Sequence, residues 1–183
     1  MTRIISGTAK GRTLQVPKEG TRPTSDRVRE SLFTMLHHDI SGNWSEEVVL
    51  DLFAGTGAFG LEALSRGAKS ALAVEFDDEA YKTVQHNCSA THLPMMTEKA
   101  DAYKWVTRPS TKKFNLVYID PPYEFTQASI QELVGDLVTN CLADEAIVLI
   151  ERSSRNAGIS TDGWECTTED RKFGDTTVQK LVW

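Results

Sequence analysis

The chain has 183 residues, 40% of them hydrophobic and 25% charged, with 12 glycines and 6 prolines; these globular proportions exclude a disordered or collagen-like chain and suit one domain with at most a short appendage. No apolar run approaches the roughly 18 residues that span a bilayer, and the opening MTRIISGTAKGR lacks the apolar stretch of a secretory signal, so a cytoplasmic protein is expected. The formal net charge of −6 hides an asymmetry: residues 1–30 carry seven basic groups against three acidic ones, the other 153 carry 13 against 23, and the basic end suits phosphates.

Residues 3–16 alternate short apolar pieces around Gly7 and Lys10-Gly11-Arg12, which predicts a small β-hairpin with basic residues near its turn. Arg22-Pro-Thr-Ser-Asp26 has the hydroxyl and the first-turn acid of a helix start. That helix is expected to run to about His38, with Val28, Leu32, Met35 and Leu36 on its apolar face and Arg27 and Arg29 turned to solvent or a ligand. From Val48 onward strand-like and helix-like segments alternate. Strands are expected at 48–53, 70–76, 95–98, 114–119, 146–151, 164–171 and 177–183, and helices at 58–66, 77–90, 101–107 and 126–140. This is the pattern of an α/β fold: a mostly parallel seven-stranded sheet with helices on both faces, binding ligands beyond the carboxyl ends of its strands. Residues 1–40, the basic hairpin and helix, are expected to form an appendage to a main domain at 41–183.

Three places carry chemistry. Asp51-Leu-Phe-Ala-Gly55-Thr-Gly57-Ala-Phe-Gly60 is a GxGxxG that follows a strand and opens a helix, the context in which such a loop binds a nucleotide-type cofactor. Asp51, delivered to the cleft just before the glycines, would repel a dinucleotide's pyrophosphate but welcome the ammonium and sulfonium of S-adenosylmethionine, which is therefore favoured over NAD. Glu75 ends the next strand, where such folds place the acid that takes ribose hydroxyls, and Asp101 either reaches the adenine amine or caps the helix after it. The third place is Leu116-Val-Tyr-Ile-Asp120-Pro121-Pro122-Tyr123. Two prolines cannot continue a ladder, so the strand must stop at Asp120 and present its carboxylate in the cleft, with Tyr123 on a rigid turn.

Asp120-Pro-Pro-Tyr123 resembles the (D/N)PP(Y/F) motif of amino-methylating enzymes with the class I, Rossmann-like S-adenosylmethionine-dependent fold. The resemblance extends through Arg3-Ile-Ile-Ser-Gly7, Lys10-Gly-Arg12, Arg22-Pro-Thr-Ser-Asp-Arg-Val-Arg-Glu30, Gly60-Leu-Glu-Ala-Leu-Ser-Arg-Gly-Ala68 and Arg171-Lys-Phe-Gly-Asp-Thr176. Together these blocks resemble the bacterial RsmD family, which methylates a guanine exocyclic amine in small-subunit (16S) ribosomal RNA. Phe173 stands where tyrosine is usual, a departure that touches packing more than chemistry. The resemblance implies S-adenosyl-L-methionine held around Asp51, Gly55, Thr56, Gly57, Gly60, Glu75, Asp101, Ala102 and Asp120. It also implies a catalytic turn of Asp120, Pro121, Pro122 and Tyr123, in which Asp120 and the Pro121 carbonyl accept the amine's hydrogens and Tyr123 stacks on the extruded base. Arg3, Lys10, Arg12, Arg22, Arg27 and Arg29 would grip phosphates of ribosomal RNA or an assembling small subunit. A monomer is expected.

Other readings share parts of this pattern. A DNA adenine or protein-amide methyltransferase can use the same turn, but a DNA enzyme normally carries a target-recognition insertion for which the chain has no room. An RNA- or cofactor-binding module without catalysis is disfavoured by the intact Asp120-to-Tyr123 turn, and a nicotinamide oxidoreductase by Asp51. The four histidines show no ligand spacing with cysteines or acids, so no metal is expected. Cys88, Cys141 and Cys166 lack a CxxC pair and are expected as buried thiols.

Overall fold

Alternation along the central strands decides which elements cover which face. The computed structural model describes residues 2–17, 26–122 and 124–183. Its elements are β1 (Thr2–Arg3), β2 (Thr13–Leu14), α1 (Asp26–Asp39), β3 (Val48–Leu52), α2 (Ala58–Ser65), β4 (Ser70–Glu75), α3 (Asp78–Thr91), β5 (Met96–Lys99), α4 (Ala102–Val106), β6 (Phe114–Ile119), α5 (Gln127–Asn140), β7 (Leu142–Ser153), β8 (Thr167–Phe173) and β9 (Thr176–Val182). Val49, Leu116, Tyr118 and Leu149 face one side of the sheet, where they meet Ile4, Leu14, Phe33 and Phe59 from the hairpin, α1 and α2. Leu50, Leu52, Val117, Ile119, Val148 and Ile150 face the other, against Trp105 of α4 and Leu133 and Leu137 of α5. Covered on both faces, the strands read as near-continuous apolar runs.

The sheet has seven strands in the order β5-β4-β3-β6-β7-β9-β8. The first five run parallel, and β9 is antiparallel to both β7 and β8. The chain leaves β3 toward β4 and returns on its other side as β6, so the crevice that receives a ligand opens at the carboxyl ends of β3 and β6. The register fixes what stands there. Leu52 pairs with Ile119, and Ile119 with Ile150, so Phe53, Asp120 and Glu151 are the next residues on three neighbouring strands.

Most expected boundaries lie within a residue or two of those observed; β7 is longer, and the last two strands are shifted by up to three residues. The hairpin differs more. Its strands are only two residues each: Ile4 still bonds across to Gly11 and Arg12, but the N–H groups of Ile5, Ser6, Thr8 and Ala9 turn to α2 and not to a sister strand. Glu62, with no exposed surface, accepts the Ile5 and Ser6 N–H groups at 2.7 and 3.0 Å, and Ser65 takes those of Thr8 and Ala9. The helix start at residues 22–25 lies outside the described residues. Within α1 the apolar face is rotated from the expected one: Arg29 is 3% exposed, and its Nη2 donates to the Arg3 carbonyl at 2.5 Å and to Asp26 at 2.9 Å. Arg29 is therefore withdrawn from the set of solvent-facing cations. Cys141 is buried as expected, whereas Cys88 and Cys166 are half-buried. Among the described residues no helix is long and apolar enough to cross a membrane.

The buried Glu62 carboxylate also accepts from Arg66 Nε at 2.8 Å. Glu62→Ala removes the acceptor for two backbone donors and a guanidinium at once, so it is expected to destabilise the protein by about 3–5 kcal/mol in urea unfolding. A loss below about 1 kcal/mol, the worth of an ordinary surface pair, would show that the hairpin is anchored by other contacts.

Candidate active site

The cleft floor is built by the turn from β3 into α2. Gly57 has φ 71° and accepts the role of first cap of α2 in a left-handed conformation that side chains avoid. Gly60 brings its N–H to Asp51 Oδ2 at 3.0 Å, and a Cβ there would lie 2.6 Å from Met95 Sδ, so a side chain fits only if Met95 moves. Asp51 is 2% exposed. Burial, partly offset by the Gly60 N–H and reinforced by the charge of Glu75, pushes its carboxyl up to about 7.

Above this floor lies a cleft of about 770 Å³, within the range that holds a drug-sized ligand. Asp51, Gly55, Thr56, Glu75, Asp101, Ala102 and Asp120, all expected at the cofactor, line it; Gly57 and Gly60 shape the loop without lining it. Glu75 accepts N–H groups from Gly55, Phe76 and Asp77, each at 2.8 Å, which ties the ends of two strands together and uses three of the roughly four sites of a carboxylate. Asp101 caps α4, accepting from Tyr103 and Lys104, so the capping reading of this residue holds at the same time as it faces the cleft.

Several residues of the cleft were not foreseen. Phe76 directly follows Glu75 and is 69% exposed, an apolar ring open to a planar ligand. Phe53, at φ 57° despite its side chain, packs with Tyr103 and Phe125 at ring separations of 5.2–6.1 Å. The Tyr103 hydroxyl is buried with no hydrogen-bond partner among the described residues, and burial, with Asp101 and Glu132 nearby, pushes it up to about 12, so it stays a neutral donor. Arg29 lines the cleft too, its Nε equally buried and without a partner among the described residues. The available signal is an aromatic directly after a strand's carboxyl end, which Phe53 and Phe76 share; Glu151, which also lines the cleft, lies inside β7, two residues before its end.

Asp120, Pro121 and Pro122 stand at the end of β6 as expected and form one wall of the cleft. Tyr123 and Arg22 lie outside the described residues. Of the other basic residues, Arg3, Lys10, Arg12 and Arg27 are exposed, with Arg3 3.9 Å from Asp26 and Arg12 donating to the Ala90 carbonyl at 2.6 Å. Among the described residues no group of three or more histidines, cysteines or acids is arranged to hold a metal ion.

With this geometry in view, comparison with known proteins is specific. The family model described as conserved hypothetical protein 95 matches residues 2–182. Ribosomal RNA small subunit methyltransferase D of Escherichia coli (strain K12) is 37% identical over 162 residues, covering 84% of this chain and 76% of the relative. The protein of the same name from Haemophilus influenzae is 32% identical over 174 residues, covering 91% and 86%. A solved structure described as a putative methyltransferase yhhF from Escherichia coli has a TM-score of 0.85 at 32% identity, over 99% of this chain and 97% of that one. SMU.776, a putative methyltransferase complexed with SAH, has a TM-score of 0.68 at 18% identity over 86% of this chain and 48% of its own, a likeness of fold alone.

The buried Asp51 has a consequence for the ligand-free protein. Its folded value of about 7 lies above the ordinary 3.8, so its contribution to stability is full below the unfolded value and is lost as pH rises through the folded one. Asp51→Asn keeps an acceptor for Gly60 without the charge. The variant is expected to melt above the wild type at pH 8, with the gap narrowing through pH 5 and closing near pH 4; parallel melting curves across that range would contradict the assignment.

Proposed function

The chain is a member of the RsmD family of S-adenosylmethionine-dependent methyltransferases with the class I fold, and from that membership we propose that it methylates the exocyclic amine of a guanine in small-subunit (16S) ribosomal RNA. The observation that carries this reading is Asp120, set by Pro121 and Pro122 at the rim of a cleft whose floor is a buried carboxylate.

The cleft suits the cofactor's chemistry. Its amino-acid end carries both charges, and the cleft offers both partners: Asp51 for the ammonium, and the buried guanidinium of Arg29, with one donor unpartnered among the described residues, for the carboxylate. Glu75, with one acceptor position left beside its three N–H bonds, takes a ribose hydroxyl, Phe76 offers its ring to the adenine, and Asp101 and Ala102 lie beside it. When bound, S-adenosylmethionine supplies a methyl group already activated by its sulfonium.

The protein's own work is orientation and charge. An aromatic amine is a weak nucleophile because its lone pair is delocalised into the ring. Asp120 and the Pro121 carbonyl accept its two N–H bonds, localise that pair toward the methyl and stabilise the positive charge that develops on nitrogen. Once the amine is methylated, its surplus proton would pass to Asp120 or to water. Tyr123, next in the chain, supplies an aromatic face for the extruded base. Arg3, Lys10, Arg12, Arg22 and Arg27, in residues 1–40, hold RNA phosphates and orient the substrate without reading its sequence.

Methyl-labelled S-adenosylmethionine, incubated with the protein and separately with unmodified small-subunit particles, protein-free 16S RNA and duplex DNA, tests this. Label is expected as methylguanine in RNA, and Asp120→Ala is expected to lower it by about 100-fold or more, the usual cost of losing one group that stabilises developing charge. Label as methyladenine in DNA would overturn the reading.

A further inference from the structure

Asn87 of α3 has no exposed surface and does not line the cleft, yet its side chain joins two segments that do the protein's work. Its Oδ1 accepts the Gln15 N–H at 2.8 Å and its Nδ2 donates to the Gln15 carbonyl at 3.0 Å, so one amide holds both backbone groups of the residue that follows β2, as a neighbouring strand would. The second hydrogen of Nδ2 goes to the Thr56 carbonyl at 2.9 Å, in a buried bond. Thr56 stands between Gly55 and Gly57 in the loop that floors the cleft, and it lines that cleft. One turn earlier on α3, Val84 Cγ1 lies 3.1 Å from where a Gly57 Cβ would stand, so the same helix face also supports the loop by packing. One turn later, the Ala90 carbonyl takes the Arg12 guanidinium. Successive turns of one helix thus touch the glycine loop and the basic hairpin, whereas the bonds from Glu62 and Ser65 hold the hairpin to α2 and not to the loop.

We propose that Asn87 is a positioning residue for methyl transfer: it sets the hairpin that grips RNA in register with the loop that holds the cofactor. The inference rests on the reading of the cleft and of the basic arm given above. Transfer requires the amine to be held in line with the methyl and in contact with it. Where the amine stands follows from where the RNA phosphates are held, and where the methyl stands follows from the glycine loop. Gln15, Asn87 and Thr56 refer one to the other through three hydrogen bonds. Affinity is less demanding than the rate. A hairpin displaced slightly still presents the exposed Arg3, Lys10, Arg12 and Arg27 to phosphates, and Asp51 and Glu75 still line the cleft. A misplacement of about 1 Å, made far from the reacting atoms, nevertheless costs on the order of 100-fold in rate. Asn87 touches neither substrate nor cofactor, so its loss falls on the chemical step in the assembled complex more than on the binding of either partner.

The test uses unmodified small-subunit particles with enzyme in excess and S-adenosylmethionine at saturation, so that a single turnover reports transfer apart from binding and product release. Asn87→Ala is expected to lower that rate by roughly 10- to 100-fold, with affinity for S-adenosylmethionine by calorimetry and for the particles by filter binding each within about threefold of wild type. A purely structural role would lower the melting temperature and leave the rate of the folded enzyme unchanged. Gln15→Pro deletes the donor on the hairpin side while Asn87 keeps its bond to Thr56, and the extended Leu14 before it accommodates a proline. This second variant is expected to lower the rate by a smaller factor, and it serves in place of Asn87→Ala if that protein does not fold. An unchanged single-turnover rate in a folded variant overturns the proposal, as does a loss of particle or cofactor affinity that accounts for the whole defect. Failure of wild type to methylate the particles overturns the ribosomal RNA reading and this inference with it, an outcome distinct from the other two.

Discussion

The carboxylate of Asp51, buried at the carboxyl end of β3 and bonded to the Gly60 N–H, is the constraint on which the site depends. Such a group is costly to bury, and the loop around it answers that cost at the point of contact: Gly60 must come close enough to donate, Gly57 must turn the chain with positive φ, and Glu75 must hold Gly55 from the neighbouring strand. The residual cost appears as a carboxyl held near neutrality. In the ligand-free protein this is a stability sacrificed for function, since a cationic ligand is the partner that restores the charge to a favourable setting.

The other acceptors follow the same plan on successive strands. Glu75 ends β4, Asp120 follows β6 and Glu151 lies near the end of β7, so with Asp51 four of the five parallel strands deliver one carboxylate each to one crevice. An acceptor-rich cleft suits a cationic cofactor and a substrate amine. It also accounts for part of the acidity of the body, while the hairpin is joined to α2 through Glu62 and Ser65. The hairpin is thus part of the same core that supports the glycine loop, because Ile4 and Leu14 lie in one cluster with Phe59.

The strands were legible because a sheet covered on both faces demands continuous apolar runs, as in Val48-Val-Leu-Asp-Leu52, and because Asp120-Pro-Pro stops a strand where its carboxylate is useful. The glycine loop, Asp51 and Glu75 were legible for the same local reason. What escaped was non-local. Helical periodicity treats arginine as polar and set Arg29 apart from the apolar stripe, yet its partner is the carbonyl of Arg3 in the hairpin, which no period reveals. The aromatic wall draws Phe53 and Phe125 from two separate connections and Tyr103 from α4, and Glu151 reads in sequence as an ordinary strand-end acid until the register sets it beside Asp120. The hairpin's short strands escaped for a related reason, since four of its backbone N–H groups, from Ile5 to Ala9, are taken by α2.

The most direct measurement of the central claim is proton release on cofactor binding. With Asp51 near 7 in the free protein, most of it is protonated at pH 6.5, and pairing with the cofactor's ammonium must expel that proton. Calorimetric titration with S-adenosylmethionine at pH 6.5 in buffers of different ionisation enthalpy is predicted to show release of roughly half a proton or more per site, with affinity weakening as pH falls further. A binding enthalpy independent of buffer, with affinity flat from pH 7.5 to 5.5, would contradict the assignment of Asp51 as the buried counter-charge.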